Sequence, residues 1–476
     1  MDGIDYDRMD GTDMAEAVRT GRVAPDTFVV EAIRRAKAVN GQLNAMVHDI
    51  APVMPASLDG AFAGVPLPLK NIGVSVKDAP ISSGAAIFKD VVSPADNTMA
   101  KRYREAGLVF IGRTNTPELA LSFTSEPALH GPACNPWDLT RTPGGSSGGS
   151  AALVAAGVVP LAQSSDGAGS TRVPSAHCGV FGFKPSRIRN PVGPATAEGI
   201  AGMSTPHAIS RTVRDNARLL DVSSGPDVGD PYAAPAPLRP YAQEVGRDPG
   251  KLRIGLVTEG PAGAPLDPVC VAAAREVADL CRALGHEVIE TSDPYDNAAL
   301  KQAWRVISGV SVARGIDGYA AANRIADPDA LLEPVNALWV QEGRTISGGD
   351  YLGAVQALHT TSRAMGGFFE GFDIYMSPTT AELAPKLGKL AGAGKDLDTF
   401  YDLFWQHAPL TAVFNASGCP AMNVPLVWHE GLPVGVQFGA AFGADGLLFA
   451  LAAQLEAAAP WAQRRPSVWA GAEAMA

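Results

Sequence analysis

Several features are scarce in this chain of 476 residues, and each scarcity excludes a class of protein. The odd number and wide scatter of the cysteines exclude a disulfide framework and the spacing of a zinc site. Basic residues are outnumbered, with 38 Lys and Arg against 49 Asp and Glu. The resulting net charge of −11 argues against binding to nucleic acid or to an anionic membrane. The five cysteines are Cys134, Cys178, Cys270, Cys281 and Cys419.

Long apolar runs are missing as well. No stretch approaches the roughly 18 uninterrupted apolar residues that cross a bilayer. The N-terminus carries acidic residues where a secretory signal would carry basic ones followed by an apolar core. These are Asp2, Asp5, Asp7, Asp10 and Asp13. We therefore expect a soluble, cytoplasmic protein.

The residues that are present predict one large α/β domain. Hydrophobic residues make up 46% of the chain, which is enough for a sizeable core. Strand–helix–strand alternation predicts a parallel or mixed sheet flanked by helices. The Pro-rich run 226–240 reads as a surface connector. Helical spacing covers 11–40 (two helices, broken at Gly21), 99–106, 268–284, most of 297–370, and 445–459. Strand-like runs cover 108–112, 158–164, 252–258, 286–290, 374–376 and 424–427.

The segment 143–187 carries the strongest chemical signal. Gly144–Ser150 reads GGSSGGS and is followed by a run of small apolar residues that favours a buried helix rather than a linker. A helix of about ten residues travels ~15 Å, and a strand of five or six returns about as far. Ser146 and Ser170 can therefore meet at one end of the sheet. The glycine-rich turn Asp166–Ser170 can gather its N–H groups into an oxyanion site, flanked by an Asp166–Arg172 pair.

A serine nucleophile needs a base, and Lys70 is a candidate. It ends the proline-stiffened apolar segment 64–70, where burial would lower its pKa and make it a usable base. A second interpretation stays open, because Gly144–Gly148 also fits G-x-S-x-G with Ser146 as nucleophile and His407 or His429 downstream. No P-loop lysine follows the glycines, so the pattern does not favour nucleotide binding.

Three motifs in the same order resemble the amidase signature family. Gly64–Asn71 resembles its GxPxxxKD segment, Gly144–Gly149 its GGSS(G/S)G segment, and Asp166–Ser175 its DxGGSxRxPA segment. The runs 373–379 and 415–437 resemble elements of its C-terminal half. Within the family, Asn135–Trp137, Thr142–Gly144, Asp166–Ser170, 239–243 and 454–456 are closest in style to the 6-aminohexanoate cyclic-dimer hydrolases.

The resemblance implies the amidase signature fold, with one large mixed sheet covered by helices on both faces. It implies a single domain over residues 1–476. Within it lie a signature core (about 55–225), a Pro-rich connector (about 226–250), a helical pocket-capping region (about 297–370) and a C-terminal return to the sheet (about 371–465). It implies no cofactor and no metal, and hydrolysis of small apolar amides, linear, cyclic or aryl, or of carbamates. The alternative is the glutamine-hydrolysing subunit of a tRNA-dependent amidotransferase. The oligomeric state stays open, homo-oligomer included.

The resemblance also implies residue roles. Ser170 is the expected nucleophile, Ser146 (after a cis peptide bond) the proton relay and Lys70 the neutral base. The N–H groups of Gly167, Ala168, Gly169 and Ser170 are the expected oxyanion site, supported by Ser147, Asp166 and Arg172. Three positions depart from the family pattern, namely Asn71 for Asp, Ser165 for Thr and Ala168 for Gly. The candidate pocket residues are Leu121, Trp304, Ile307, Ser308, Phe404 and Trp405.

Overall fold

The computed structural model describes residues 5–471, and these form two β-sheets with helices around them. The strands are β1 (Met46–Asp49), β2 (Pro66–Lys70), β3 (Val109–Thr114), β4 (Leu161–Asp166), β5 (Phe181–Lys184), β6 (Thr205–Ser210), β7 (Arg253–Leu256), β8 (Glu287–Glu290), β9 (Ile374–Pro378), β10 (Ala421–His429) and β11 (Leu432–Ala440). The α-helices are α1 (Gly11–Arg19), α2 (Thr27–Leu43), α3 (Thr98–Glu105), α4 (Gly148–Ala155), α5 (Arg172–Cys178), α6 (Val213–Ser223), α7 (Pro268–Ala283), α8 (Asn297–Asn323), α9 (Pro334–Thr345), α10 (Gly348–Gly371), α11 (Leu397–His407), α12 (Ala412–Ser417) and α13 (Asp445–Ala458).

The large sheet is mixed, as predicted. Its strand order is β4-β6-β5-β10-β11-β9-β7-β8. Neighbours are antiparallel from β4 to β9, whereas β9, β7 and β8 run parallel. Apolar side chains of α6, α7 and α13 pack on one face, and those of α8 to α12 pack on the other. The expected sheet with helices on both faces is confirmed.

The small sheet holds three strands in the order β1-β3-β2. β2 pairs in parallel with β3, and every residue of β2 is buried. Lys70 is the last residue of this strand, so a lysine lies inside the protein at the point where the small sheet meets β4.

The Gly/Ser segment folds as the helix and strand that its composition predicts. All eight residues of α4 are buried, and its small side chains permit close contacts. A Cβ on Gly149 would lie 2.4 Å from the carbonyl oxygen of Ala45 and from the nitrogen of Asn115. β4 then returns the chain to the turn 166–170.

Helices α8, α9 and α10 occupy most of 297–370, the region predicted to cap the pocket. The finer domain limits stay predictions. Among residues 5–471, no helix combines the length and apolar character needed to cross a membrane.

Candidate active site

A cavity of about 250 Å³ lies where the turn 166–170, the Gly/Ser segment and α8 converge. Its wall is mainly apolar, with several serines, and among residues 5–471 no Asp, Glu, Lys, Arg or His side chain belongs to it. Ile307 and Trp405, two of the candidate pocket residues, are not part of the wall. The predicted residues that do line it are Leu121, Ser146, Gly167, Ala168, Ser170, Trp304, Ser308 and Phe404.

Lys70 lies behind this wall and is completely buried. Its backbone N–H donates to Oε1 of Gln163 (3.0 Å). Its Nζ donates to Oγ of Ser146 (2.7 Å) and to Oγ of Ser165 (3.1 Å). Burial lowers the pKa of the Lys70 amine to about 7, although the negative charge of Asp166 acts in the opposite direction. A lysine with this pKa is largely uncharged at mildly basic pH, and it can then accept a proton.

Ser146 and Ser170 are brought to the same cavity by a backbone contact. The N–H of Ser147 donates to the carbonyl oxygen of Ser170 (3.2 Å), which joins the Gly/Ser segment to the turn. The peptide bond between Gly145 and Ser146 is cis. A Cβ on Gly145 would lie 2.7 Å from the nitrogen of Thr124, so this position has no room for a side chain.

The turn 166–170 presents free main-chain donors. Within residues 5–471, the N–H groups of Gly167, Ala168, Gly169 and Ser170 donate to no protein acceptor. Its carbonyl groups are held instead: Nε1 of Trp304 donates to Gly167 (3.1 Å) and Oγ1 of Thr411 to Ala168 (2.5 Å). The turn is thus fixed through its carbonyls, which leaves the N–H groups available to an anion.

The departures from the family pattern fit this geometry. Gly169 has φ +144, a conformation that glycine adopts readily, whereas Ala168 is absent from the positive-φ residues and its Cβ is therefore tolerated. Ser165 supplies the hydroxyl that contacts Lys70. The Asn71 side chain bonds Ser82 through both of its polar atoms, and the hydrogen bonds of the Lys70 amine go to Ser146 and Ser165 instead.

Asp166 and Arg172 form the predicted ion pair, and both side chains are fully buried. Two guanidinium N–H groups donate to the two carboxylate oxygens, each at 2.9 Å. Arg172 also donates to Oδ1 of Asn415 (2.7 Å) and Oε1 of Gln437 (2.6 Å). Burial alone would raise the pKa of Asp166, but the Arg172 charge and hydrogen bonds outweigh it and hold the pKa at about 2. The pair is therefore ionised and anchors the turn to α12 and β11.

In the part of the chain that the structure describes, no histidine hydrogen-bonds Ser146 or Ser170. His407 contacts His177 (Nε2 to Nε2, 3.2 Å) and Glu382 (3.3 Å), and His429 is exposed at the end of β10. The interpretation with Ser146 as the nucleophile of a serine–histidine site therefore has no support in the geometry.

Four residues of the site were missed from the sequence, namely Gln163, Ser165, Thr411 and Asn415. Asn415 begins a matched C-terminal motif, so the resemblance carried a signal for it. Ser165 was noted only as a departure. Thr411 and Gln163 carry no local signal, because their contacts join segments far apart in the chain.

Comparison with known proteins gives a consistent result. The family model described as Amidase matches residues 27–449. The 6-aminohexanoate-cyclic-dimer hydrolase of Paenarthrobacter ureafaciens is 37% identical over 481 aligned positions, covering 96% of each chain. A solved structure of 6-aminohexanoate cyclic dimer hydrolase complexed with substrate is 36% identical, with a TM-score of 0.91 over 98% of this chain and 100% of that one. A bacterial aryl acylamidase structure is 25% identical, with a TM-score of 0.85 over 96% of this chain and 97% of that one.

Proposed function

Because this chain belongs to the amidase signature family of hydrolases, which act on amide C–N bonds, we propose that it cleaves small, uncharged, apolar amides or carbamates through an acyl-enzyme on Ser170. The observation that carries the proposal is the 2.7 Å hydrogen bond between the buried Lys70 amine and Ser146, at the wall that Ser170 shares. A hydroxyl becomes a competent nucleophile when a positioned base removes its proton.

The proton path runs through both serines. Ser170 Oγ attacks the carbonyl carbon while its proton passes to Ser146, whose own proton passes to the neutral Lys70 amine. The resulting ammonium returns a proton through Ser146 to the leaving nitrogen as the C–N bond breaks. Water then attacks the acyl-enzyme along the same path and restores all three groups. A pKa of about 7 for Lys70 suits a group that must both take and return a proton near neutrality.

The tetrahedral intermediate carries a negative oxygen, which needs donors that are already in place. The free N–H groups of Gly167, Ala168, Gly169 and Ser170 would supply them. Trp304 and Thr411 hold the carbonyl side of the turn, so the donors need little rearrangement during the reaction.

The cavity wall supports the substrate class. A volume of about 250 Å³ lies near the lower end of the range for small-molecule pockets, about 300–1,000 Å³, and therefore suits a small molecule. Leu121, Trp304 and Phe404 offer apolar contact, and the described part of the chain places no charged side chain on the wall to bind a carboxylate or an ammonium group. Glutamine carries both charges, so the cavity does not favour the amidotransferase subunit. The similarity to the cyclic-dimer hydrolases adds support for neutral amides.

The test is substitution of the proposed nucleophile. Ser170→Ala should abolish hydrolysis of a panel of anilides, alkyl amides, cyclic amides and carbamates, and should abolish labelling by a fluorophosphonate. The matched control is Ser223→Ala, because Ser223 is also buried but its hydroxyl donates to the carbonyl oxygen of Leu219 within α6, away from the cavity. Retained turnover in Ser170→Ala, or a label on another serine of the wild type, would reject the assignment.

A further inference from the structure

One wall of the cavity is formed by residues 117–121, here called the wall segment. Leu119, Ala120 and Leu121 line the cavity. Leu119 and Ala120 have φ values of +53 and +60. Residues with a Cβ adopt this left-handed conformation only where the surrounding structure holds them in it.

Glu118 of the wall segment does not line the cavity but turns away from it, towards α9. Its side chain is only 3% exposed. Its Oε2 accepts hydrogen bonds from the N–H of Glu333 (2.8 Å) and from Nδ2 of Asn336 (2.7 Å). Glu333 is the N-cap of α9, so the carboxylate lies at the positive end of that helix, where a negative charge is favourable.

Helix α9 packs in turn against α8, which also lines the cavity. A Cβ on Gly343 of α9 would lie 2.2 Å from the carbonyl oxygen of Gly309 in α8. The rings of Trp339 and Trp304 are 5.6 Å apart, and Trp304 itself lines the cavity. The Glu118 carboxylate therefore links one wall of the cavity to the helix that supports the other.

We propose that Glu118 is a positioning residue that fixes the width of the cavity, by hydrogen-bonding the wall segment to the first turn of α9. The inference rests on the proposed function, because it concerns which amides that cavity accepts. Glu118 acts through Leu119 and Leu121 and touches no reacting atom. Its loss frees the wall segment to relax from its left-handed conformation.

The charge of Glu118 should make the tether depend on pH. Burial, helped by the charge of Glu333, outweighs the two hydrogen bonds that Glu118 accepts and raises its pKa to about 7. Burial also raises the pKa of Glu333. The small space beside Glu118 is lined by one further acid, Glu126, and by no cation. Protonation of Glu118 below pH 7 removes the charge that strengthens both hydrogen bonds. KM should therefore rise as the pH falls below 7.

The experiment compares the wild type with Glu118→Ala, Glu118→Gln and Asn336→Ala on two anilides, N-(4-nitrophenyl)acetamide and N-(4-nitrophenyl)hexanamide. The control is Asn323→Ala, because Asn323 lies at the far end of α8 and bonds only Tyr319. Active sites are counted by fluorophosphonate labelling, so that unfolded protein does not enter kcat.

Glu118→Ala and Asn336→Ala should each change the ratio of kcat/KM for the two anilides by about tenfold, through KM, with kcat per labelled site changed by no more than about twofold. Glu118→Gln keeps an oxygen for the two donors, so its ratio should match the wild type while its KM loses the rise below pH 7. If Glu118→Ala does not fold, Asn336→Ala carries the test.

An unchanged ratio in whichever of Glu118→Ala and Asn336→Ala fold would overturn the proposal, and so would a loss confined to kcat. If instead the wild type hydrolyses neither anilide and Ser170 takes no label, the proposed function fails rather than the role of Glu118.

Discussion

The proposed mechanism requires an uncharged Lys70 amine, and the pH dependence of the reaction tests this requirement directly. Only the uncharged amine accepts a proton, and burial lowers the pKa of Lys70 to about 7. The value of kcat/KM should therefore fall as pH decreases through 7. With one titrating group, about half of the amine is neutral at pH 7 and about one part in a hundred at pH 5. Between pH 5 and 9 the expected change is thus about a hundredfold.

The variant Ser165→Ala tests whether this titration belongs to Lys70. The ammonium donates to Ser165 Oγ (3.1 Å), and removing that acceptor disfavours the charged form. A hydrogen bond to a charged group contributes about 1.5–3 kcal/mol, and one pKa unit is about 1.4 kcal/mol. Since the neutral amine also donates to this hydroxyl, the shift should lie near the lower end. Ser165→Ala should move the midpoint about one unit towards acid.

The assay is kcat/KM for an uncharged anilide, so that the substrate itself does not titrate. Ser164→Ala is the matched control, because Ser164 is the neighbouring buried serine of β4 and bonds Thr171 instead of Lys70. Its midpoint should equal that of the wild type. A flat profile from pH 5 to 9, or a midpoint that Ser165→Ala leaves in place, would refute a lysine base.

Three further substitutions test the surroundings of the site. Lys70→Met should raise the free energy of unfolding at pH 7 by up to about 4–5 kcal/mol and by much less above pH 10.5, because between about pH 7 and 10.5 the Lys70 amine is protonated only in the unfolded chain. Equal gains in urea unfolding at pH 7 and 11 would contradict this. Thr411→Val removes the hydroxyl that holds the Ala168 carbonyl and should lower kcat about tenfold with little change in KM, so an unchanged kcat would oppose a role for the turn. Arg172→Met leaves Asp166 buried and unpaired, and should cost about 3–5 kcal/mol in urea unfolding; a loss below about 1 kcal/mol would argue against the ion pair as an anchor.

The local part of the site could be predicted because its information is local. Helix and strand lengths suffice to bring the turn 166–170 back beside Ser146. Helix α4 has eight residues and β4 has six, close to the about ten and the five or six expected. The apolar segment that Lys70 ends left its burial open, since a lysine there can also extend to solvent, and the structure buries it. The spacing of Asp166 and Arg172 predicted a pairing that the structure contains.

The walls of the cavity could not be predicted, because they depend on contacts between distant segments. Thr411 reaches Ala168 across 243 positions, and Glu118 reaches Asn336 across 218. Nothing in the residues beside Glu118 indicates these partners. The left-handed conformation of Leu119 is equally hidden, since leucine itself disfavours it and only the packed structure holds it.

The buried ion pair explains how an anionic turn and a neutral base can lie side by side. The charge of Asp166 favours the protonated form of Lys70 and, unopposed, would work against the base. Arg172 opposes it with a full positive charge at 2.9 Å from both carboxylate oxygens. A second buried lysine, Lys184, also has a lowered pKa, because burial and the charge of Arg172 bring it to about 7. Above pH 7 the cluster then holds one negative group, one positive group and two neutral amines. Burial is therefore the larger influence on the protonation of Lys70, and the charge of Asp166 opposes it only in part.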